Sequence, residues 1–197
     1  MEKLSELQKA RLEYQPKTPD MIKGDISNII AEESGKTEPM SFKKEIKELF
    51  ANAYGLPVIK FKKGSNPNAN NKVNVGIVLS GGQAPGGHNV IIGVLDALKK
   101  ANKDSKLFGF LGGPSGILED KAVEITPEFA FNFRNTGGFD MIGSGRTKLE
   151  SEEQFIKCID VFKKRQISAL IIVGGDDSNT NAALLAEYLK KNKADIL

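Results

Sequence analysis

The 197 residues include 28 basic and 25 acidic side chains, a net charge of +3, and 40% hydrophobic residues, enough for one soluble domain with or without an extension. No basic block with interleaved aromatics is present, which argues against a nucleic-acid surface, and the single cysteine, Cys158, excludes an internal disulfide framework or a cysteine-built zinc site. No apolar run approaches the ~20 residues that span a bilayer, and the first residues hold no apolar signal segment, so a cytoplasmic protein without a membrane partner is expected.

Residues 1–72 read as an N-terminal helical extension. Leu4, Leu7 and Arg11 fall on a first helix that Pro16 and Pro19 terminate. The polar segment that follows shows no clear period. Ser41 then reads as the N-cap of a helix carrying Phe42, Ile46, Leu49, Phe50 and Ala53 at helical spacing, closed by Gly55 and Pro57, and its apolar face is expected to pack on something. Val58–Phe61 reads as a short strand. The turn-rich run Gly64–Lys72 marks a boundary, and residues 73–197 form the second unit.

From Val73 strands and helices alternate. Val75–Leu79 is a buried strand, and Ser80-Gly-Gly-Gln-Ala-Pro-Gly-Gly87 leads into a helix with Ile91, Val94, Leu95 and Leu98 on one face. This is neither a Walker loop, because His88 stands where a lysine is needed, nor the Gly-x-Gly-x-x-Gly dinucleotide fingerprint. The only histidine, His88, reads first as a capping or packing residue. Leu107–Leu111 is the next strand, ended by the loop Gly112–Gly116. A short strand around Val123 and a short helix from Pro127 precede a glycine-rich segment, Asn135–Lys148, that carries Arg146. Residues 151–165 form a helix started by Ser151 with Glu153 or Gln154, and Cys158 lies on its apolar face as a core residue. Ala169–Val173 is then the central strand, and Ala182, Leu185 and Leu189 stripe the last helix. The alternation predicts an α/β fold, an open, mostly parallel sheet with helices on both faces and ligands beyond the carboxyl ends of its strands.

The stretch Ile171–Thr180 carries the strongest chemistry. A buried strand stops at Gly174-Gly175 and a helix begins, so backbone can approach a ligand closely and free N–H groups favour an anion. Asp176 and Asp177 repel a phosphate unless a cation lies between, and carboxylate oxygens beside a phosphate suit Mg²⁺, which points to a magnesium-phosphate site. Taken alone, the same residues also fit a surface loop with two helix-capping aspartates. Arg146 can clamp a phosphate in bidentate fashion, or lie solvated in its loop. Three glycine-rich loops at the strand ends are expected to converge on one crevice, which favours the phosphate reading of each.

Ser80-Gly-Gly-Gln-Ala-Pro-Gly-Gly-His-Asn89, Gly143-Ser-Gly-Arg146 and Gly174-Gly-Asp-Asp-Ser178 together resemble the donor half of the phosphofructokinases, in the diphosphate-dependent branch, over about residues 73–197. The resemblance implies a Rossmann-like donor domain in which Gly81, Gly82, Arg146, Gly175, Asp177 and Ser178 hold diphosphate and Asp176 holds Mg²⁺. The ATP-dependent enzymes have Gly-Gly-Asp-Gly-Ser in the third motif, so Asp177 is implied to fill the space of a nucleotide's α-phosphate and to act in donor choice and transition-state positioning. Gln83 replaces an aspartate frequent in those enzymes, and the extension resembles the longer diphosphate-dependent forms. The implied activity is reversible phosphate transfer from diphosphate to fructose 6-phosphate, by a homo-oligomer. An ATP-dependent phosphofructokinase, or a non-catalytic anion-binding module of the same fold, are the alternatives. In the family the proton-accepting aspartate lies in a loop after the next strand, expected beyond Leu197, as is the sugar-phosphate half. The chain alone is therefore expected to bind donor without turning over.

Overall fold

A computed structural model describes residues 4–197 and divides its strands between two sheets. The smaller lies in the N-terminal seventy residues. Helix α1 (Glu6–Glu13) begins with a reciprocal capping box between Ser5 and Gln8 and ends before Pro16, so two of its orphan N–H groups are satisfied locally. Strand β1 (Ile29–Lys36) pairs antiparallel with β2 (Pro57–Lys63), and helix α2 (Lys43–Leu49) lies between them in sequence. Strand β1 falls in the segment without a clear period, because its apolar content is confined to Ile29-Ile30-Ala31 and gives no sustained alternation. The extension is thus partly sheet as well as helical.

Helix α2 departs from the sequence reading in three ways. Its N-cap is Phe42, held in the left-handed region at φ 54°, with no side-chain cap; Ser41 sits one residue too early to serve. It ends at Leu49, short of Ala53, and turns occupy the stretch to Gly55. Its apolar residues do not find a core: Phe42 is 71% exposed and Leu49 66%.

The larger sheet has the order β5-β4-β3-β6 and is built from β3 (Asn74–Leu79), β4 (Lys106–Phe110), β5 (Ala122–Glu124) and β6 (Ala169–Val173). Strand β3 pairs parallel with both β4 and β6, while β5 runs antiparallel to β4. The crossover from β3 to β4 is helix α3 (Gly87–Ala101). Alternation along each strand sorts side chains onto two cores. On one face Val75, Ile77 and Leu79 pack with Leu107, with Ile91, Ile92 and Leu95 of α3, and with Ala130 of α5 (Pro127–Phe131). On the other, Val78, Phe108 and Phe110 pack with Ile117 of α4 (Pro114–Leu118), with Phe155, Cys158 and Phe162 of α6 (Glu152–Arg165), and with Leu185 and Leu189 of α7 (Asp176–Lys191). Helices therefore cover both faces. Ser151 and Gln154 form the capping box of α6, which resolves the choice between Glu153 and Gln154.

Two further expectations change. The loop Gly112–Gly116 contains the start of α4, because Pro114 at the first helical position is pre-set for a helix after the left-handed Gly112 and Gly113. Strand β6 is not central: β3 and β4 are the inner strands, and every residue of β3 is buried whereas those of β6 are only half-buried. At the free edge of β6, Leu197 donates its N–H to Ser168 and accepts from Leu170 N–H, at 2.9 and 2.8 Å, the bond pattern of a parallel ladder. Among the described residues, no helix is long and apolar enough to cross a membrane.

Candidate functional site

All three parallel strands end on the same side, where β3 and β6 each run into a glycine turn and then a helix. Between these turns lies a cleft of about 790 Å³, lined by the Ser80–Gly87 loop, Phe139, Arg146 and the Val173–Ser178 junction. Two of the three anticipated loops thus line it directly. The third, Gly112–Gly116, does not; it lies behind, pressed against the segment that carries Arg146. A Cβ on Gly145 would come closer than 3.0 Å to the Gly112 carbonyl oxygen, and one on Gly113 would collide with the Gly145 backbone. Gly112 N–H donates to Ile142 O and Gly81 N–H to Gly145 O, each at 2.8 Å. A bridge between Ser80 and Gly145 extends the parallel pairing. The Arg146 loop is therefore an added edge of the sheet, fixed by backbone contacts that only glycine permits.

Arg146 itself is exposed, with Nη2 beside Gly82, where an added Cβ would lie 3.1 Å away. It forms no salt bridge and no hydrogen bond among the described residues, so all its donors remain available to a ligand. Gly81 and Gly82 differ in what they offer. Gly81, at φ 98°, has already donated its N–H to Gly145, so it contributes close approach; Gly82 has no such acceptor.

Across the cleft, α7 starts at N-cap Gly175 without any side-chain cap. Its first ladder bond runs from Asn179 N–H to Gly175 O at 2.9 Å, which leaves the N–H groups of Asp176, Asp177 and Ser178 outside the ladder. Asp176 and Asp177 occupy the first turn rather than capping it, both exposed and neither in a salt bridge among the described residues. Ser178 is buried and donates its hydroxyl to Ser80 Oγ at 2.8 Å, leaving the Ser80 hydrogen for a ligand. Gly174 is required there, since a Cβ would run into Ser178 and the Ser80 carbonyl. A side pocket of about 180 Å³ continues past Arg146 and Asp177 between Thr147, Lys148 and Asn181.

No group of three or more His, Cys, Asp or Glu residues placed to hold a metal occurs among the described residues. This donor set still fits Mg²⁺, which keeps several waters and is commonly held by one or two carboxylates together with substrate phosphates. Asp176, whose carboxylate has no partner among the described residues and lines the cleft, is a carboxylate of that kind.

The sequence did not single out Phe139 and Val90, which form the apolar wall of the cleft. The isolated aromatic directly after Gly137-Gly138 was the available signal for Phe139: its ring lies where a Cβ on Gly87 would go. His88 is buried, as the packing reading anticipated, and fixes this wall. It shares a hydrogen bond between Nδ1 and Thr136 Oγ1 at 2.6 Å, and its Nε2 accepts Met141 N–H at 2.9 Å. Cys158 is also buried, and burial pushes its thiol up to about 12, so it supplies no nucleophile.

The phosphofructokinase family model matches residues 74–195, which contain the whole cleft. The chain belongs to the phosphofructokinase family. Its relatives include a pyrophosphate–fructose 6-phosphate 1-phosphotransferase of Porphyromonas gingivalis, 52% identical over 98% of this chain and 34% of that protein. The protein of the same name from Entamoeba histolytica is 49% identical over 98% of this chain and 35% of its own length. The chain thus spans about a third of the length of the curated relatives it matches, and the match includes the extension. Among solved structures, Pichia pastoris phosphofructokinase in the T-state superposes with a TM-score of 0.55 at 24% identity, over 64% of this chain and 14% of that one. A pyrophosphate-dependent phosphofructokinase from Marinobacter aquaeolei gives 0.52 at 21%, over 63% and 31%. These likenesses confirm the phosphofructokinase fold.

Proposed function

We propose that the cleft holds diphosphate with Mg²⁺, and that this chain is the donor half of a diphosphate-dependent phosphofructokinase that transfers phosphate reversibly to fructose 6-phosphate. One observation carries the reading: an arginine beside Gly82 faces the uncapped N-terminus of a 16-residue helix whose first two residues are carboxylates, all three side chains unpaired among the described residues. Phosphoryl transfer asks for positioning and charge neutralisation more than covalent help, and these groups supply both. Arg146 binds one phosphate through its fork, while Gly82 and Gly175 admit phosphate oxygens to the backbone and Ser80 and Ser178 form the floor. Mg²⁺ held by Asp176 would neutralise charge on the diphosphate oxygens. Asp177 sets donor choice, since its carboxylate opposes a nucleotide's α-phosphate by bulk and by charge. The names of the relatives at 52% and 49% identity support diphosphate over ATP.

Within this reading residues 1–72 are an extension and residues 73–197 the donor-binding domain, in a homo-oligomeric cytoplasmic enzyme. Among the residues lining the cleft the only carboxylates are Asp176 and Asp177, which leaves no separate base for the sugar hydroxyl. That observation favours donor binding without turnover for these 197 residues by themselves.

Replacing Arg146 tests the assignment. Because the Arg146 side chain makes no salt bridge or hydrogen bond among the described residues, Arg146→Ala should leave the melting temperature unchanged. It should weaken Mg²⁺-diphosphate binding by roughly 10- to 100-fold, the loss expected for a charge-assisted contact of ~1.5–3 kcal/mol. Calorimetric titration showing unchanged affinity would return Arg146 to a solvated loop and remove the clamp.

A further inference from the structure

His88 joins the two walls of the donor cleft. It is the second residue of α3, directly after the Gly86-Gly87 turn that lines the cleft, and its side chain is 3% exposed. The backbone N–H of Met141 points at Nε2, which makes Nε2 the acceptor and puts the neutral ring's proton on Nδ1, 2.6 Å from Thr136 Oγ1; that hydroxyl also lies 2.7 Å from Phe133 O. Nε2 is then a lone-pair acceptor, satisfied by Met141 N–H at 2.9 Å. The backbone adds two bonds of the same kind, His88 N–H to Gly138 O and Gly86 N–H to Gly137 O. Gly138 has no room for a side chain because the His88 ring occupies that space. The segment so held, Thr136–Met141, carries the cleft residue Phe139 and runs through buried Ile142 into Gly143–Arg146.

A second partner competes for Nε2. Asp140 Oδ1 lies 3.0 Å from it, on a side chain that is 78% exposed. A neutral ring turns a lone pair toward this carboxylate and bonds Met141; a ring protonated on Nε2 bonds Asp140 and confronts the Met141 N–H with another donor. Phe133 packs edge-on against the ring at 4.9 Å, Thr136 and Gly138 lie against it, and Arg134, beside Phe133 in sequence, is engaged with Asp96. Burial pushes the ring below its ordinary range, with Asp140 pulling the other way.

We propose that His88 is a positioning residue for the donor site: in its neutral form it pins the Phe139–Arg146 wall through Met141, and protonation transfers it to Asp140 and releases that wall, weakening diphosphate binding. The inference rests on the diphosphate reading of the cleft and adds to it a proton-linked control. Linkage makes it reciprocal, so a ligand that needs the neutral ring must lower the ring's own titration midpoint.

His88 is the only histidine, so its ring carbon-bound protons report it alone by NMR across a pH titration of the 197-residue chain. Saturating Mg²⁺-diphosphate should move the midpoint to lower pH; a tenfold preference of diphosphate for the neutral form corresponds to about one pH unit. Asp140→Asn should lower the midpoint of the free protein and extend tight diphosphate binding to more acidic pH, while binding at pH 8 stays as in the wild type. A merely structural histidine would titrate at the same pH with and without diphosphate, and that result, with diphosphate bound, would overturn the proposal alone. Failure of diphosphate to bind at pH 8 would overturn the donor reading and this inference together.

Discussion

Adding one methyl group at Gly145 probes how the Arg146 loop is held. Gly145 is not in the left-handed region, so alanine there meets no backbone strain; it meets atoms. Its Cβ would lie within 3.0 Å of the Gly112 carbonyl oxygen and 3.2 Å from the Gly112 carbonyl carbon, backbone atoms that cannot rotate away. Relief requires the two loop segments to part, which strains the Gly81–Gly145 and Gly112–Ile142 hydrogen bonds. Overpacking costs ~1–3 kcal/mol and each lost bond ~1, so about 3 kcal/mol is expected. For a chain of this size that lowers the melting temperature by roughly 6–12 °C. Because Arg146 is the next residue, Mg²⁺-diphosphate affinity should fall by at least ~10-fold as well. Gly93→Ala is the control of opposite sign. That glycine lies mid-helix with open space where the Cβ would go, so alanine should stabilise by ~0.5–1 kcal/mol. Differential scanning fluorimetry and calorimetric titration of both variants check this. A Gly145→Ala protein that melts and binds as the wild type does would refute the interlocked-glycine account.

Two substitutions at the head of α7 divide the roles of its carboxylates. Asp176→Asn should weaken diphosphate binding by ~100-fold in saturating Mg²⁺ and abolish its dependence on Mg²⁺, with no change in melting temperature; retained Mg²⁺ dependence in a titration would remove Asp176 from the metal role. Asp177→Gly should lose diphosphate affinity and gain measurable ATP binding, and a variant that loses the first without gaining the second would assign Asp177 to positioning alone.

How much could be read from the sequence depends on how local each signal is. Helix α6 was legible because Ser151 and Gln154 sit three apart ahead of an apolar stripe, a pattern complete within a few residues. The β3, α3 and β6 elements were legible for the same reason, since their apolar runs end at glycine turns. Strand β1 was not, because it is stabilised by a partner thirty residues away and its own alternation is weak. The inner position of β3, with β6 at the margin, is likewise a property of strand order that no single run of residues contains. At the site, Asp176, Asp177 and Arg146 were visible by residue type, and the cleft does gather them. The support behind them was not visible: the Gly112–Gly145 interlock and the His88–Met141 bond join residues 33 and 53 apart, and it is tertiary packing that leaves such glycines no room for a side chain. Ser178 illustrates the limit within a motif. The sequence marks it by residue type, but not that its hydroxyl is bonded to Ser80 across the cleft floor, 98 residues away.

In the proposed function this cleft recognises Mg²⁺-diphosphate, with Asp177 standing against a nucleotide. Isothermal titration of the wild-type chain with diphosphate and with ATP, each with Mg²⁺, tests it most directly. The account predicts saturable one-site binding of diphosphate that requires Mg²⁺, and ATP binding weaker by at least ~100-fold, equivalent to ~2.7 kcal/mol. Tighter binding of ATP than of diphosphate, or no binding of either, would contradict it.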